Sequence, residues 1–271
     1  MNTSATQARR GHEEGLAVAM GDIDPAFQSL VDEGGDNLRG LWRVEKLELK
    51  AVPKGQEGKF YEGDCYLHFD KNPNEQHVHF WIGSQCSIDE QAVAAIKAVE
   101  LDNLFGGLPI QHREVQGFES ARFKDQFPDG IMIKKGGMES GLAKAETNAH
   151  EAKLFKVAGG SRPVMTEVDM AWSSMNHGDV FVLDSGKKIF VWKGSGASIQ
   201  EKMSAGLIAA KMKDHPGEEL VHVDDGDEEA ECDEEWIEHL PLDGKGAVKE
   251  KDSASDKAII TEVAKSIDLF K

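Results

Sequence analysis

A block of sequence in the first half of the chain returns, in order and in spacing, in the second half. Gly63-Asp64-Cys65-Tyr66-Leu67 comes back as Gly178-Asp179-Val180-Phe181-Val182, and His79-Phe80-Trp81-Ile82-Gly83 as Phe190-Val191-Trp192-Lys193-Gly194. Each tryptophan is followed nine positions later by a glutamate, Glu90 or Glu201, and each glutamate closes a Ser-x-x-Glu box opened by Ser87 or Ser198. In such a box the serine hydroxyl and the glutamate satisfy orphan backbone donors at a helix start. The strand ahead of each block matches too, Leu41-Trp42-Arg43-Val44 against Leu154-Phe155-Lys156-Val157. The chain therefore reads as two copies of one domain of about a hundred residues.

The expected organisation is a mobile arm over 1–22, a first repeat over 23–141, a polar linker over 142–152 and a second repeat over 153–242. Residues 243–271 read as linker, ending in Leu269-Phe270-Lys271 like the opening strand of a third repeat. In the first repeat, alternation around Trp42, Val44, Leu47 and Leu49 predicts one strand, and Asp64 to Phe69 and His77 to Ile82 predict two more. A long helix follows from Ser87 to Phe105, then a strand over His112 to Gln116, a short helix or turn near Ser120 to Phe127, and a strand over Ile131 to Lys135. The long helix carries two apolar faces. Ala94, Ala98, Leu101 and Phe105 share one; Val93, Ile96, Glu100 and Asn103 lie on another. The first suits a core. The second is either covered by another layer or left for a partner.

Composition removes several function classes. A net charge of −18 opposes nucleic-acid binding, whose phosphates select the reverse sign. No long apolar run and no apolar stretch near the N-terminus are present, which argues against stable membrane insertion or a secretory signal. The three cysteines, Cys65, Cys86 and Cys232, lack metal-ligand pair spacing and are odd in number, which fits a reduced, cytoplasmic compartment better than a disulfide scaffold. No nucleophile elbow, phosphate-binding glycine loop or His-Glu-x-x-His helix occurs, so the chain reads as a non-enzyme. The acidic run Asp224 to Glu235 lacks the order of an EF-hand and reads as a solvated loop.

The chemistry lies in the acids. Asp64 and Asp179 each follow a glycine at the head of a strand, while Glu90 and Glu201 stand at the head of a helix. If strand and helix pack face to face, each pair can meet at one edge and, with a backbone carbonyl, hold a hard cation such as calcium. Otherwise the aspartate ends a turn and the glutamate merely caps. Asp102, near the far end of the first long helix, is followed by Gly106-Gly107-Leu108-Pro109, whose carbonyls could supply half of another site. The remaining ligands of that half-site would come from a second molecule.

One stretch is more specific. Gln111-His112-Arg113-Glu114-Val115-Gln116-Gly117-Phe118-Glu119-Ser120, with Lys134-Lys135-Gly136-Gly137 behind it and Asp89-Glu90 ahead, resembles the gelsolin, severin, villin and fragmin family of calcium-regulated actin-severing and capping proteins. The resemblance runs from Leu41 to about Leu240 and implies an α+β fold of tandem gelsolin-like domains, each a five-stranded mixed sheet between one long and one short helix. It implies a calcium site in repeat 1 at the Gly63 carbonyl, Asp64, Glu90 and the Met138 carbonyl, and one in repeat 2 at Gly178, Asp179 and Glu201, with Asp256 or Asp252 as last ligand. It also matches Asp102, with the carbonyls of Gly107 and Pro109, to a site that an actin carboxylate completes. The long helix resembles the one that wedges into the cleft of an actin subunit, with Val93, Ile96, Glu100, Asn103 and Asp102 at the contact.

Two departures matter. The disulfide in repeat 2 of the secreted vertebrate member would need cysteines where this chain has Val180 and Lys193, which agrees with a cytoplasmic, cytoskeletal protein. The basic cluster that relatives use for phosphoinositides and the filament side is reduced to Ala158-Gly159-Gly160-Ser161-Arg162-Pro163, leaving Lys134 and Lys135 for weak phosphoinositide binding. The expected function is calcium-dependent severing and barbed-end capping of actin filaments. The rivals are a monomer binder and capper that does not sever, and a calcium-binding adaptor with no actin activity.

Overall fold

The computed structural model describes residues 23–137, 151–213 and 218–250. The arm over 1–22, most of the linker, Met138, Asp252, Asp256 and the terminal Leu269-Phe270-Lys271 lie outside the described residues. The described residues fall into two compact units, 23–126 with 134–137, and 127–133 with 151–250.

In the first unit a short helix α1 (Gln28–Glu33) precedes β1 (Leu38–Glu45), β2 (Glu48–Ala51), β3 (Lys59–Tyr61), β4 (Cys65–Lys71), β5 (Gln76–Ile82), the long helix α2 (Ile88–Leu104), β6 (Ile110–Val115) and the short helix α3 (Ala121–Asp125). Five of these strands form a mixed sheet in the order β2-β1-β4-β5-β6, antiparallel except for the parallel β5–β6 pair. A parallel pair needs a long crossover, and α2 supplies it. The expected single strand over Leu41 to Leu49 is instead a hairpin, because Lys46 and Leu47 turn the chain with φ of 51° and 66°. The step from Val44 to Leu47 already breaks period two, and Leu47 is exposed.

After β7 (Ile131–Lys134), the second unit runs through β8 (Lys153–Ala158), β9 (Val164–Val168), β10 (Val180–Asp184), β11 (Lys188–Lys193), the long helix α4 (Ile199–Met212), β12 (Glu219–Asp224) and the short helix α5 (Glu234–His239). Its strands lie in the order β12-β11-β10-β8-β9-β7; the first five follow the same plan with α4 as the parallel crossover, and β7 makes a sixth where five were expected. Residues 131–133 pair in parallel with β9 in this unit rather than completing the first sheet, as the sequence reading had it. An edge strand offers unpaired backbone groups, and Ile131, Ile133 and their neighbours occupy them.

Each sheet is covered on both faces. In the first unit Ala94, Ala98 and Leu101 of α2 pack on Trp42, Val44, Leu67, Phe69 and Val78; in the second, Ala205, Ile208 and Ala209 of α4 pack on Phe155, Val157, Val182 and Val191. The opposite faces are covered around Phe123 of α3 and Trp236 of α5. In both, a buried indole donates to a buried glutamate, Trp81 Nε1 to Glu119 Oε1 and Trp192 Nε1 to Glu231 Oε1, each at 3.1 Å. Glu231 belongs to the acidic run, so that run is not solvated throughout, although Asp224 and Gly226 to Glu229 are exposed as expected. Asp225 in the same run accepts from Ser195 and pairs with His177, and Asp233 caps α5. The chain beyond Pro241 also continues into the second unit, where the Trp172 indole donates to the Pro241 carbonyl at 2.9 Å.

The cysteine reading is overturned by Cys65 and Cys86, which form a disulfide across a separation of 21 residues, with Cys232 left as an exposed thiol. Cys65 opens β4 and Cys86 precedes the cap of α2, and the antiparallel β4–β5 pair brings those two places together. An odd count could not show it. Closing a loop of this size adds about 3 kcal/mol by restricting the unfolded chain. Cys86→Ser, or reduction of the wild type, is expected to lower the stability of the first unit by about that amount and to leave the second unchanged, as read by melting isolated units or by hydrogen exchange of the whole chain.

Candidate functional site

The two aspartate–glutamate pairs are held by one backbone frame, built twice. Gly83 N donates to Asp64 O at 3.1 Å and Gln85 N to Glu62 O at 2.8 Å; Gly194 N donates to Asp179 O at 3.0 Å and Gly196 N to His177 O at 2.7 Å. A Cβ on Gly83 would sit 2.3 Å from Glu62 O, and one on Gly194 2.5 Å from His177 O, so only glycine lets the chain pass. From that crossing the chain reaches the cap within a few residues. Both capping boxes form, with Ser87 Oγ donating to Glu90 Oε2 at 2.8 Å and Ser198 Oγ to Glu201 Oε2 at 2.7 Å. Each aspartate therefore stands at the strand end from which the long helix leaves. Each glutamate also caps, so one of its carboxylate oxygens is already engaged.

Asp64 is buried, and a Cβ on Gly137 would lie 2.9 Å from its Oδ1, so the glycine leaves open the space beside that oxygen. Gly63 N donates to Gly136 O at 2.8 Å, which brings the Lys134-Lys135-Gly136-Gly137 segment over the strand end. A basic residue of the neighbouring strand faces each aspartate: Arg43 Nε is 3.8 Å from Asp64 Oδ2 and Lys156 Nζ is 2.7 Å from Asp179 Oδ2. Asp179 also accepts from Asn176 at 2.6 Å, and the Asn176 side chain accepts from Gly178 N at 2.8 Å. Oxygen-rich, partly buried sites of this kind suit calcium, which prefers several carboxylate and carbonyl ligands. Lys156 is the group a cation must displace in the second unit.

Asp102 is arranged differently. Its Oδ2 accepts from Gln111 at 2.8 Å and its backbone carbonyl from Gly107 N at 2.9 Å. Its Oδ1 is buried with no hydrogen-bond partner among the described residues. A buried acceptor without a donor is unfavourable unless something electropositive reaches it. Gly107, in the left-handed region at φ 72°, and buried Pro109 form the adjoining turn. This set fits a cation and supplies only part of a ligand shell among the described residues.

On α2 the outward stripe runs Ile88, Ile96, Val99, Asn103, with Ile96 at 56% and Val99 at 47% exposure. Sequence reasoning found Ile96 and Asn103 but missed Ile88 and Val99, which the spacing of eight and three from Ile96 would have given. Val93 sits instead half-buried against the first core, and Glu100 is tied to Lys97 at 2.7 Å, while Lys97 also holds Asp24 at 2.8 Å. Those two flank the stripe. The equivalent stripe on α4, Ile199, Met203 and Leu207, is 77%, 65% and 66% exposed and was also missed. Lys134 and Lys135 are half-buried, and each already makes an interaction inside the protein. The Val180 and Lys193 positions are cross-strand partners, without cysteines.

The family model for the gelsolin repeat matches residues 48–124 and 161–231. Among curated relatives, mouse advillin is 44% identical over 70% of this chain and 24% of its own length; Arabidopsis thaliana villin-2 is 39% identical over 78% and 22%. Human macrophage-capping protein is 40% identical over 80% of this chain and 64% of its own length. The chain thus spans about a quarter of the villin-type relatives. One chain of the crystal structure of the Thorarchaeota 2DGel3/rabbit actin complex aligns at 24% identity with a TM-score of 0.31, over 78% of this chain and 98% of that one. With two repeats matched in succession over more than half of its residues, each on one of the two sheets, the chain belongs to the gelsolin-repeat family.

Proposed function

We propose that the chain is a calcium-dependent actin-binding protein that severs filaments and caps their barbed ends, acting by binding and not by catalysis. The first unit docks α2 in the actin cleft through Ile88, Ile96 and Val99, with Asn103 and Asp102 at the far end, and the second binds the filament side. Calcium supplies charge neutralisation and fixed geometry. Asp64 and Glu90, with the Gly63 carbonyl, would hold one ion, Asp179 and Glu201, with the Gly178 carbonyl, another, and Asp102 with the turn at Gly107 and Pro109 a third shared with actin. The work place is the actin cytoskeleton; among the described residues no helix is long and apolar enough to cross a membrane, and the Cys65–Cys86 disulfide removes the cysteine argument for a reducing compartment.

The observation that carries this reading is α2 itself. One face is fully used by the core, with Ala94, Ala98 and Leu101 at 0% exposure, while the opposite face presents branched apolar residues to solvent. A helix needs no second apolar stripe to fold. That stripe ends beside an aspartate with an unpartnered buried oxygen. An apolar helix face running to an incomplete cation site is suited to an apolar cleft with a carboxylate at its rim. Dilution of pyrene-labelled actin filaments separates the alternatives. In calcium, depolymerisation faster than the free ends allow means severing, slower means capping alone, and no change rejects both.

Two sets of variants test the parts. Asp64→Asn and Asp179→Asn are each expected to remove one class of calcium site from the free protein by calorimetry, and the double variant to melt lower in calcium, since an ion bound only to the native state stabilises it. Unchanged stoichiometry in both would reduce Glu90 and Glu201 to helix caps. Ile96→Asp is expected to weaken actin binding by about a thousandfold, the effect of burying an unpaired charge costing several kcal/mol, with circular dichroism unchanged. Ala98→Asp, on the core face, is expected to unfold the first unit instead. Wild-type capping by Ile96→Asp would remove α2 from the interface.

A further inference from the structure

The two units solve the same packing problem with different chemistry. Where β10 and β11 pair, Leu183 stands opposite Phe190 in an apolar core under α5. At the matching place in the first unit, His68 stands opposite His79, and the same sheet face carries Asp70, His77, His112 and Glu114 under α3. His68, His77, His79 and Glu114 are all buried. The fold does not require this layer, since the second unit does without it.

The hydrogen bonds fix what His79 presents. Glu114 accepts from Ser120 N at 2.7 Å and Ser120 Oγ at 2.8 Å, and stands 2.9 Å from His79 Nδ1. With both Glu114 oxygens already accepting from Ser120, the carboxylate accepts from the ring as well, so His79 Nδ1 carries the proton and Nε2 turns its lone pair the other way. That lone pair faces another acceptor, Asp70 Oδ1, at 3.7 Å. Neither His79 Nε2 nor Asp70 Oδ1 has a hydrogen-bond partner among the described residues. Asp70 Oδ2 is turned outward, 3.8 Å from Arg122, which is itself held by Glu75 at 2.7 Å. The third group is His68, whose Nδ1 is 4.0 Å from the same Asp70 Oδ1; one ligand atom from each of the three residues falls within 4.8 Å of the others.

We propose that His68, Asp70 and His79 form a transition-metal site of zinc type inside the first unit, with Glu114 orienting His79 from behind. Two imidazoles and a carboxylate are the donor set zinc favours, and a carboxylate on the far nitrogen of a ligating histidine fixes its tautomer and raises its basicity. Metal–ligand bonds of about 2.0–2.2 Å put donor atoms roughly 3.4 Å apart, which a small rotation of the His68 ring reaches from the observed spacing. A proton is the rival occupant. His68 and His79 are almost wholly buried, and the His112 ring stacks on His79 at 4.4 Å. A metal ion would meet the His79 Nε2 and Asp70 Oδ1 atoms that are buried without a hydrogen bond among the described residues. This is separate from the calcium sites, whose ligands are oxygens at the other end of the strand.

The experiment uses the full chain, stripped of metals and then saturated with calcium so that the acidic sites are filled. Cobalt(II) is titrated and followed by visible absorption, then displaced by zinc. One equivalent is expected to give the intense bands of a tetrahedral site and to raise the melting temperature of the first unit. Asp70→Asn and His68→Leu, the second copying repeat 2, are expected to lose the bands, and Glu114→Gln to weaken binding by about 10–100-fold. Circular dichroism checks that each variant is folded. The proposal fails if the wild type gives no bands, if Asp70→Asn and His68→Leu keep them, or if nitrogen shifts show His79 as an imidazolium that zinc does not displace.

Discussion

Everything that positions chemistry in this chain depends on one backbone crossing, where the strand that begins with the aspartate meets the loop that leads into the long helix. Gly83 and Gly194 pass within reach of two carbonyls that no side chain would tolerate, and their amides bond to the aspartate carbonyls behind. The crossing fixes how the chain enters the capping box, and so where the glutamate stands relative to the aspartate. It also fixes which way the helix lies across the sheet. In the first unit the Cys65–Cys86 disulfide ties the same two places covalently. In the second unit no such tie exists at Val180 and Ala197, and the hydrogen-bonded frame is the same. The disulfide therefore reinforces a geometry that the glycines already impose.

From that frame the two units diverge in what they leave open. Both long helices bury one face on the sheet and expose an apolar stripe, and α2 ends at an aspartate with a buried oxygen that has no hydrogen-bond partner among the described residues. Both sheets carry a second core under a short helix, apolar in one unit and imidazole-rich in the other. Duplicated scaffolds of this kind separate what folding needs from what function adds, because each copy serves as the structural reference for the other.

The sequence made legible whatever is written in local periodicity. The duplication, both capping boxes, the span of α2 and its two faces were readable because cap chemistry and helical spacing are local. The β1–β2 hairpin was hidden, since Lys46 and Leu47 turn in the left-handed region without the Asn-Gly signal of such turns. The disulfide, the pairing of Ile131 with Val164 and the burial of Glu231 inside an acidic run depend on distant partners, so neither count nor charge pattern could show them. Asp64 and Asp179, proposed as calcium ligands, were legible as glycine-led strand heads, but that Arg43 and Lys156 face them was not. The imidazole layer passed unread because period two along β4 and β5 identifies a face without saying what the opposite helix brings to it.

The central claim is that the first unit presents a half-made calcium site at the end of a docking helix, completed by the partner. Equilibrium dialysis of radioactive calcium against the free chain, against actin and against their complex counts this directly. The account predicts one more bound ion in the complex than in its separate components, with Asp102→Asn losing that ion alone and leaving the free chain's count unchanged. Equal counts for complex and components, or loss of an ion from free Asp102→Asn protein, would contradict it.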